Sequence, residues 1–430
     1  MARIDTDVVV VGTGPGGATM ARELARKGRD VVLVERGKWH EWAVGRYASA
    51  FTITDMIRPK GGGLMARGIT VGGSSVVYNG NAYDPPEWLA TELDIDLTEE
   101  AIDTKAEIGI RPLPEDFSKD WSCTHRLIEA AGELDIALMP QQKFIDPEKC
   151  DPTCDDCMLG CRRGAKWTAR EYVNEAFLNG AKVLAETMAD SVIIENGDAK
   201  GVRVKGPHSY TEVRADKVVI SAGGIGTPVI LLRSGIEGAG EGFFIDPMNV
   251  VHAIGKYPGP KNEMTFAYAS EEFVEDEGYL VGTLGSLPVL GNKVSRTVKS
   301  LGWAARGGRL SNVMGMFTKI GDSPGGRIYA DGRIEKPYGS EDEVKFNKGT
   351  EACKNILIGA GADPDTFTVE HNVGGHPGGT AAIGRVVDND LQAYAAKNLY
   401  VCDASVFPRS PGRPPTLTII ALAKHLAKSI

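Results

Sequence analysis

A glycine-rich turn between a strand pattern and a helix pattern, close to the start of the chain, constrains the fold more than any other feature. Thr6 to Val11 is a short apolar run with β-branched residues, which is typical of a strand buried on both faces. The turn Gly12-x-Gly14-x-x-Gly17 follows at once, and Ala18 to Arg26 is rich in helix formers. This order of elements predicts a Rossmann-like α/β fold.

Each glycine of the turn has its own expected role in binding a dinucleotide. Gly12 allows the tight turn, Gly14 lets the backbone approach a pyrophosphate, and Gly17 lets the helix pack on the strand. The helix N-terminus offers free N–H groups and a partial positive charge to the phosphates. The second strand, residues 31–34, ends at Glu35, whose carboxylate is placed to accept hydrogen bonds from ribose hydroxyls. The spacing does not separate FAD from NAD.

A second strand-to-loop junction lies near the end of the sequence. The strand pattern Leu399 to Cys402 runs into Asp403, and a helix pattern begins at Thr416. An acid at this point suits a hydrogen bond to the ribityl chain of a flavin, and the helix N-terminus would stabilise negative charge on the reduced ring. An ordinary strand-end aspartate in a turn is the alternative.

Further segments carry a resemblance to a known family. They are residues 71–75 (VGGSS), residues 221–236 (SAGGIGTPVILLRSGI), and residues 375–380 (GHPGGT) with 387–388 and 398–408. Together with the first glycine turn, and in this order, they resemble the signatures of the glucose–methanol–choline (GMC) oxidoreductases, which are flavoenzymes that use FAD. The resemblance covers most of the predicted nucleotide-binding part and little of the rest.

The resemblance implies a set of FAD-binding residues. The first signature loop has no histidine for covalent attachment, so the implied FAD is noncovalent. The asparagine usual in that loop is displaced, because Tyr78 precedes Asn79. The residues assigned to FAD are Gly12, Gly14, Gly17, Glu35, Gly72, Gly73, Ser74, Ser75, Asn79, Val192, Asp403 and Thr416.

The resemblance also implies the catalytic residues. His376 lies where the family has its active-site histidine, which takes the proton of an alcohol, or orients its hydroxyl, while hydride passes to the flavin. An unperturbed pKa near 6.5 suits this task, and His371 is a second candidate nearby. The family's second catalytic side chain, an asparagine or histidine, is replaced by Pro414, which has no side-chain donor. Arg413 or His371 could substitute.

Four of the seven cysteines, Cys150, Cys154, Cys157 and Cys161, lie within twelve residues. Such a set predicts a tetrathiolate metal site of zinc or iron–sulfur type, with two disulfides or unliganded thiols as alternatives. A flavin nearby favours a [4Fe–4S] cluster, since a cluster carries single electrons and zinc does not; a three-iron cluster or zinc remain open. The segment also resembles the cysteine loop of the family's cluster-containing dehydrogenases, and residues 161–166 resemble its long-chain alcohol oxidases.

Charge and hydropathy exclude other classes of function. The net charge is −9 and no long run of Lys or Arg occurs, which argues against nucleic-acid binding. No apolar run approaches the roughly 18–20 residues of a membrane-spanning helix, and the first residues do not form a signal-peptide pattern. We expect a cytoplasmic protein.

These inferences combine into one architecture and one leading function. We expect a discontinuous Rossmann-like FAD domain (1–85, 165–245 and 375–430), a helical segment with the cysteine loop (86–164, loop 149–163), and a smaller mixed α+β substrate or cap domain (246–374). The expected function is oxidation of a small-molecule alcohol, with electrons exported through the cluster to a carrier protein or partner redox subunit. Alternatives are an electron-transfer subunit of a larger complex, a carbonyl or alkene reductase, and an oxidase with structural zinc.

Overall fold

A computed structural model describes residues 2–154, 156–207, 210–285 and 310–430 of the chain. The helices are α1 (Pro15–Arg26), α2 (Ser49–Thr52), α3 (Trp88–Leu93), α4 (Thr98–Ile108), α5 (Ser122–Gly132), α6 (Ala169–Leu178), α7 (Gly223–Arg233), α8 (Val274–Glu277), α9 (Ser340–Gly359) and α10 (Thr416–Ser429). The strands are β1 (Ala2–Val11), β2 (Val31–Val34), β3 (Thr54–Ile57), β4 (Met65–Gly68), β5 (Arg111–Pro112), β6 (Met139–Pro140), β7 (Gln142–Lys143), β8 (Lys182–Leu184), β9 (Met188–Glu195), β10 (Asp198–Lys205), β11 (Tyr210–Ile220), β12 (Glu241–Phe243), β13 (Met248–Ile254), β14 (Tyr268–Ser270), β15 (Tyr279–Thr283), β16 (Val313–Ile320), β17 (Gly326–Ile328), β18 (Ile334–Glu335), β19 (Thr368–Val373) and β20 (Leu399–Val401).

The first sheet is the predicted Rossmann-like layer. Its strands follow the order β8-β2-β1-β11-β10-β9, and β20 pairs with the end of β11. The β1 strand runs parallel to both β2 and β11, while β9 and β10 are antiparallel additions. Residues 8–11 and 31–34 are all buried, as expected for strands covered on both faces. Helix α1 packs against α6 and α10.

The second sheet has the order β19-β13-β16-β15-β14-β6, and its pairings are antiparallel. Helices α9 and α5 pack on it, and their buried side chains share a core with those of β13, β15 and β16. Gly349 of α9 sits so close to the sheet that a Cβ there would lie 1.9 Å from Thr318 Oγ1. The second sheet and these helices therefore form a separate α/β layer arrangement with its own hydrophobic core.

The sequence-based expectations are confirmed for the fold class. The strands of the Rossmann-like sheet come from three separate segments, so the layer is discontinuous. β1 is longer than the predicted strand and begins at Ala2, and α1 begins at Pro15 rather than Ala18. Most of residues 246–374 gave no periodic signal, yet they contain the twenty-residue helix α9. The domain boundaries themselves stay a prediction. Within the described ranges, no helix is long and apolar enough to cross a membrane.

Candidate active site

The predicted nucleotide turn has the shape that its three glycines require. Gly12 has φ +101°, and a Cβ there would lie 2.1 Å from the carbonyl oxygen of Ser221 on the neighbouring chain segment. A Cβ on Gly17 would lie 2.0 Å from the carbonyl oxygen of Gly12. Gly14 differs, because a Cβ there would meet no atom within 4 Å. The open side of Gly14, at the N-terminus of α1, fits the pyrophosphate of FAD.

Glu35 closes this turn from the end of β2. Its Oε2 accepts hydrogen bonds from the backbone N–H (3.0 Å) and the hydroxyl (2.8 Å) of Thr13, and its Oε1 accepts one from Gly37 N–H (2.7 Å). A carboxylate offers about four acceptor positions. Three are filled here, so Glu35 both fixes the turn and keeps an acceptor for a ribose hydroxyl.

The first signature loop lies directly on the nucleotide turn. Gly72 N–H donates to Thr13 Oγ1 at 3.1 Å, and a Cβ on Gly73 would lie 3.0 Å from Gly14 Cα. Ser75 Oγ donates to the Gly72 carbonyl and accepts from Ala169 N–H at the start of α6. The structure thus brings two separately predicted FAD segments into contact. Two further assigned residues belong to the same stretch: Ser74 Oγ accepts from Gly68 N–H, and the Asn79 carbonyl accepts from Lys143 Nζ.

The remaining assigned FAD residues are more occupied by protein contacts than the sequence suggested. Asp403 is buried, and its oxygens accept from Ser405 N–H, Gly223 N–H and the Thr227 hydroxyl. Burial raises its pKa, against these hydrogen bonds. Val192 is a core residue of β9 whose N–H donates to Ser234 Oγ. Thr416 is the half-buried first residue of α10.

The predicted catalytic histidine faces a buried acid that sequence reasoning missed. His376 Nδ1 lies 3.5 Å from Oδ2 of Asp246, whose side chain is fully buried. The His376 side chain is 26% exposed, but its Nδ1 atom is buried, so the exposed part belongs to the rest of the ring. Burial and Lys319 lower the pKa of His376, and Asp246 opposes that shift. The imidazole is therefore neutral near neutral pH and can accept a proton.

Asp246 is held by the loop that precedes α10. Its Oδ1 accepts from the Ser410 hydroxyl and from Gly412 N–H. The same loop carries Arg413, whose guanidinium pairs with Glu271 and Glu275. Arg413 is thus engaged with carboxylates beside the position of Pro414.

The second histidine candidate is placed differently. His371 is exposed and lies on β19, at the edge of the second sheet. His376 follows β19 in the chain, and its backbone N–H donates to the carbonyl oxygen of Ile245, the residue before Asp246. Of the two candidate histidines, His376 is the one that faces a buried acid. The one sequence signal for Asp246 was an acid directly after the buried apolar residues 243–245.

The cysteine loop contains free thiols beside two buried lysines. Cys150, Cys154, Cys157 and Cys161 are unpaired, so the disulfide alternative is not present. Burial and the charges of the other three cysteines raise the pKa of Cys150 to about 12. In the part of the chain that the structure describes, no group of three or more potential ligands is placed to hold a metal ion. As the side chains stand, they do not fit the predicted cluster.

Lys143 and Lys166 are the lysines of this region. Lys143 Nζ donates to the side-chain oxygen of Asn81 at 2.8 Å, and Lys166 Nζ donates to the carbonyls of Tyr78 and Cys157, each at 2.6 Å. All of these acceptors are neutral. Burial lowers the pKa of Lys143 to about 7 and that of Lys166 to about 8, while nearby thiolate charge acts in the opposite direction.

Comparison with known proteins gives the same family along the whole chain. The N-terminal and C-terminal profiles of the family described as GMC oxidoreductase match residues 13–256 and 337–423. The uncharacterized protein MJ1450 of Methanocaldococcus jannaschii is 27% identical over 99% of both chains. An uncharacterized GMC-type oxidoreductase of Mycobacterium tuberculosis is 26% identical, with 98% of this chain and 75% of that protein aligned.

Two further comparisons involve named enzymes. Long-chain-alcohol oxidase FAO3 of Arabidopsis thaliana is 24% identical, with 100% of this chain and 68% of that protein aligned. The crystal structure of pyridoxine 4-oxidase from Mesorbium loti superposes with a TM-score of 0.74 over 98% of both chains at 18% identity, which shows a shared fold. The family consists of flavin enzymes that oxidise CH–OH groups, so it implies FAD, and the open turn at Gly14 fits that cofactor. Since the two profiles cover more than half of the sequence and include the segments 71–75, 221–236 and 375–380, the chain belongs to the GMC oxidoreductase family.

Proposed function

We propose that this protein oxidises the CH–OH group of a small-molecule alcohol to a carbonyl, with noncovalently bound FAD. The observation that carries the proposal is the neutral, partly exposed imidazole of His376, whose Nδ1 faces buried Asp246. FAD, when bound, supplies the hydride acceptor. The protein supplies the turn at Gly14 for the pyrophosphate and Glu35 for a ribose hydroxyl.

His376 accepts the hydroxyl proton of the substrate. Its lowered pKa keeps it neutral at the pH where it acts, and a positioned base of this kind contributes roughly 10²–10⁴ in rate. Pro414 stands where the family has its second hydrogen-bonding side chain, and Arg413 is paired with Glu271 and Glu275. We therefore assign the proton transfer to His376 alone.

The substrate class is the next part of the proposal. Two related proteins are named for the alcohols they oxidise, long-chain alcohols and pyridoxine. Both are primary alcohols, which sets the first compounds to test. The reverse reaction, reduction of a carbonyl or alkene, remains the alternative direction at the same site.

A second candidate concerns the route by which electrons leave the flavin. We propose that the four cysteines are the residues that would hold an iron–sulfur centre, which would supply single-electron transfer to a carrier protein. Lys143 and Lys166 favour it, because their hydrogen-bond partners are neutral and burial lowers the pKa of both lysines, whereas an anionic tetrathiolate would stabilise their charged forms. The placement of the cysteine side chains argues against an iron–sulfur centre, because among the described residues no group of three or more potential ligands is placed to hold a metal ion. Four further expectations likewise stay predictions: a flavin/iron–sulfur electron-transfer subunit, a structural zinc, the carrier protein and a cytoplasmic location.

Metal and acid-labile sulfide analysis of protein purified without oxygen separates these routes. Iron and sulfide in about equal amounts, with a visible shoulder that dithionite bleaches, would support the iron–sulfur centre. One zinc per chain would indicate that the cysteine loop holds a structural metal ion, and no metal would indicate that the four cysteines are free thiols. Either of the last two results contradicts electron export through the loop and favours direct reaction of reduced flavin with oxygen.

Anaerobic flavin reduction tests the main proposal. The purified holoenzyme is mixed with 1-octanol, 1-dodecanol, pyridoxine and other primary alcohols, and flavin absorbance is followed. Bleaching by one of them supports alcohol oxidation, and His376→Ala should slow it by roughly 10²–10⁴ while FAD stays bound. Bleaching that is as fast in His376→Ala as in the wild type would remove the assigned role. An absence of bleaching by every alcohol, with rapid flavin oxidation by a carbonyl or alkene, would instead support the reductase.

A further inference from the structure

Asp246 is a buried acid with all but one of its polar atoms assigned to fixed partners. Its N–H donates to Asp322 Oδ1 at 2.9 Å, and its carbonyl accepts from Lys319 Nζ. Oδ1 accepts from Ser410 Oγ and from Gly412 N–H. Its backbone adopts φ +48°, an uncommon conformation for a residue other than glycine. The backbone of Asp246 is therefore held by the segment 319–322, and the orientation of its carboxylate is fixed by the loop at 410–412.

The remaining oxygen, Oδ2, faces His376. The Nδ1 atom of His376 lies 3.5 Å away. Among the described residues, neither Oδ2 nor Nδ1 has a hydrogen bond to any other group, although both atoms are buried. Hydrogen bonds of this kind are often long before substrate binds and tighten in the complex. Two buried atoms that lack other partners thus face each other as acceptor and donor.

We propose that Asp246 is a positioning residue that keeps the proton of neutral His376 on Nδ1, which leaves the lone pair on Nε2 to accept the proton of the substrate hydroxyl. This inference deepens the proposed function and rests on it. A carboxylate is acceptor only, so it selects the Nδ1–H tautomer of the ring. The proton taken from substrate then produces an imidazolium that the Asp246 charge stabilises.

The charged groups around this pair are Lys319, Asp322 and Lys336. Lys319, on β16, contacts the Asp246 carbonyl, and Asp322 contacts the N–H groups of residues 245 and 246. Lys336 pairs with Asp322 at 3.0 Å. Of these groups and Asp246, Asp246 is the one whose carboxylate faces His376 Nδ1, so removing its charge acts on the imidazole directly.

Asp246→Asn tests the proposal, because the two hydrogen bonds to Oδ1 determine the orientation of the new amide group. Ser410 and Gly412 both donate to Oδ1, so the amide oxygen takes that place and the NH2 group faces His376 Nδ1. A donor opposite Nδ1 favours the Nε2–H tautomer, in which the nitrogen available to substrate has no lone pair. The equivalent substitution in a serine-protease triad lowers kcat about 10⁴-fold with the geometry intact.

The first readout is the tautomer itself, in holoenzyme labelled with ¹⁵N-histidine. The chain has only 7 histidines, and the His376→Ala spectrum identifies the His376 signals. We expect Nδ1–H in the wild type, Nε2–H in Asp246→Asn, and Nδ1–H in the control Asp322→Asn, which alters another buried carboxylate of the same network. Nε2–H in the wild type, or an unchanged tautomer in Asp246→Asn, would overturn the proposal. The wild-type spectrum decides even if a variant fails to fold.

The second readout is flavin reduction by 1-octanol or pyridoxine. Asp246→Asn should lower the limiting rate on the order of 10²–10⁴-fold with little change in KM, and FAD content should match the wild type. If His376→Ala slows reduction and Asp246→Asn does not, the positioning role fails while the proposed function stands. If no alcohol reduces the flavin of the wild type, the proposed function fails, and if His376→Ala has no effect, the proton-accepting role of His376 fails. In both cases the spectra still report whether Asp246 sets the tautomer.

Discussion

Lys336 Nζ lies 3.0 Å from Oδ2 of Asp322, and both side chains are fully buried. Replacing Lys336 by Met would leave the carboxylate without its counter-charge in the interior. We expect this change to lower the free energy of unfolding by about 3–5 kcal/mol, the usual cost of breaking a buried pair on one side. Thermal and urea unfolding of the variant would measure the loss.

Lys60→Met is a matched control, because Lys60 pairs with Glu335, the residue next to Lys336 at the end of β18. Glu335 pairs with Lys60 at 3.6 Å, and the Lys60 side chain is 84% exposed. Lys60→Met should change the free energy of unfolding by less than about 1 kcal/mol. Equal decreases in the free energy of unfolding for Lys336→Met and Lys60→Met would mean that the buried pair contributes no more to stability than the exposed pair.

The glycine turn predicts two opposite outcomes for the same small change. Gly17→Ala places a methyl group 2.0 Å from the Gly12 carbonyl oxygen, so the turn must shift and the fold should lose stability. Gly14→Ala meets no protein atom within 4 Å, so the protein should fold normally. Its methyl group would occupy the space of the pyrophosphate, and flavin absorbance per chain should therefore fall. Full FAD content in Gly14→Ala would contradict this placement of the cofactor.

Lys143 predicts how stability depends on pH in reduced, metal-free protein. Burial lowers its pKa from 10.5 to about 7 in the folded state, so the unfolded chain binds a proton that the folded chain has released across that interval. The free energy of unfolding should therefore rise with pH between about 7 and about 10, by a few kcal/mol. Urea unfolding at about pH 7 and about pH 9 measures the slope.

Lys143→Met should reduce that slope and leave the smaller part that Lys166 contributes, since burial lowers the pKa of Lys166 only to about 8. Lys119→Met, at an exposed position, should leave it as in the wild type. A slope that is the same in all three proteins would show that Lys143 is not the group responsible.

Lys319 predicts a shift of the pH dependence of flavin reduction. The neutral imidazole of His376 is the active form, so the rate should fall as the pH drops through its pKa, below the usual value of 6.5. Lys319 is one cause of the lowered pKa, and Lys319→Met should move this acidic limb to higher pH. The pre-steady-state rate measured across pH, with FAD content as the check on folding, tests this. A limb that stays in place would exclude Lys319 as a determinant.

The parts of the fold that the sequence predicted depend on short-range signals. The strand at residues 8–11 and the glycine turn are consecutive, Glu35 follows one helix and one strand later, and each carries its own backbone or burial requirement. Helix α9 was missed although its buried residues follow helical spacing. Several of them, such as Gly349 and Thr350, are not apolar, because the helix needs small residues to approach β16 closely.

The parts of the site that the sequence did not predict depend on long-range contacts. Asp246 acquires its role from His376 and from the loop at 410–412, which lie far away in the chain. The cysteine spacing predicted a tetrathiolate metal site, and the described residues contain the four thiols as neighbours but not a group placed to hold a metal ion. It could not indicate that Lys143 and Lys166 would be buried beside them, since both residues look like ordinary surface lysines in the sequence.

The pairing of β20 with β11 has a consequence for how the protein is made. The carbonyl of Cys402, just after β20, lies so close to Gly16 that a Cβ there would approach it to 2.1 Å. The wall of the nucleotide turn is therefore supplied by a segment that the ribosome makes after the whole second sheet. A chain whose synthesis has stopped before residue 402 lacks this wall, so the turn acquires its full set of neighbours only once both ends of the sequence have been made.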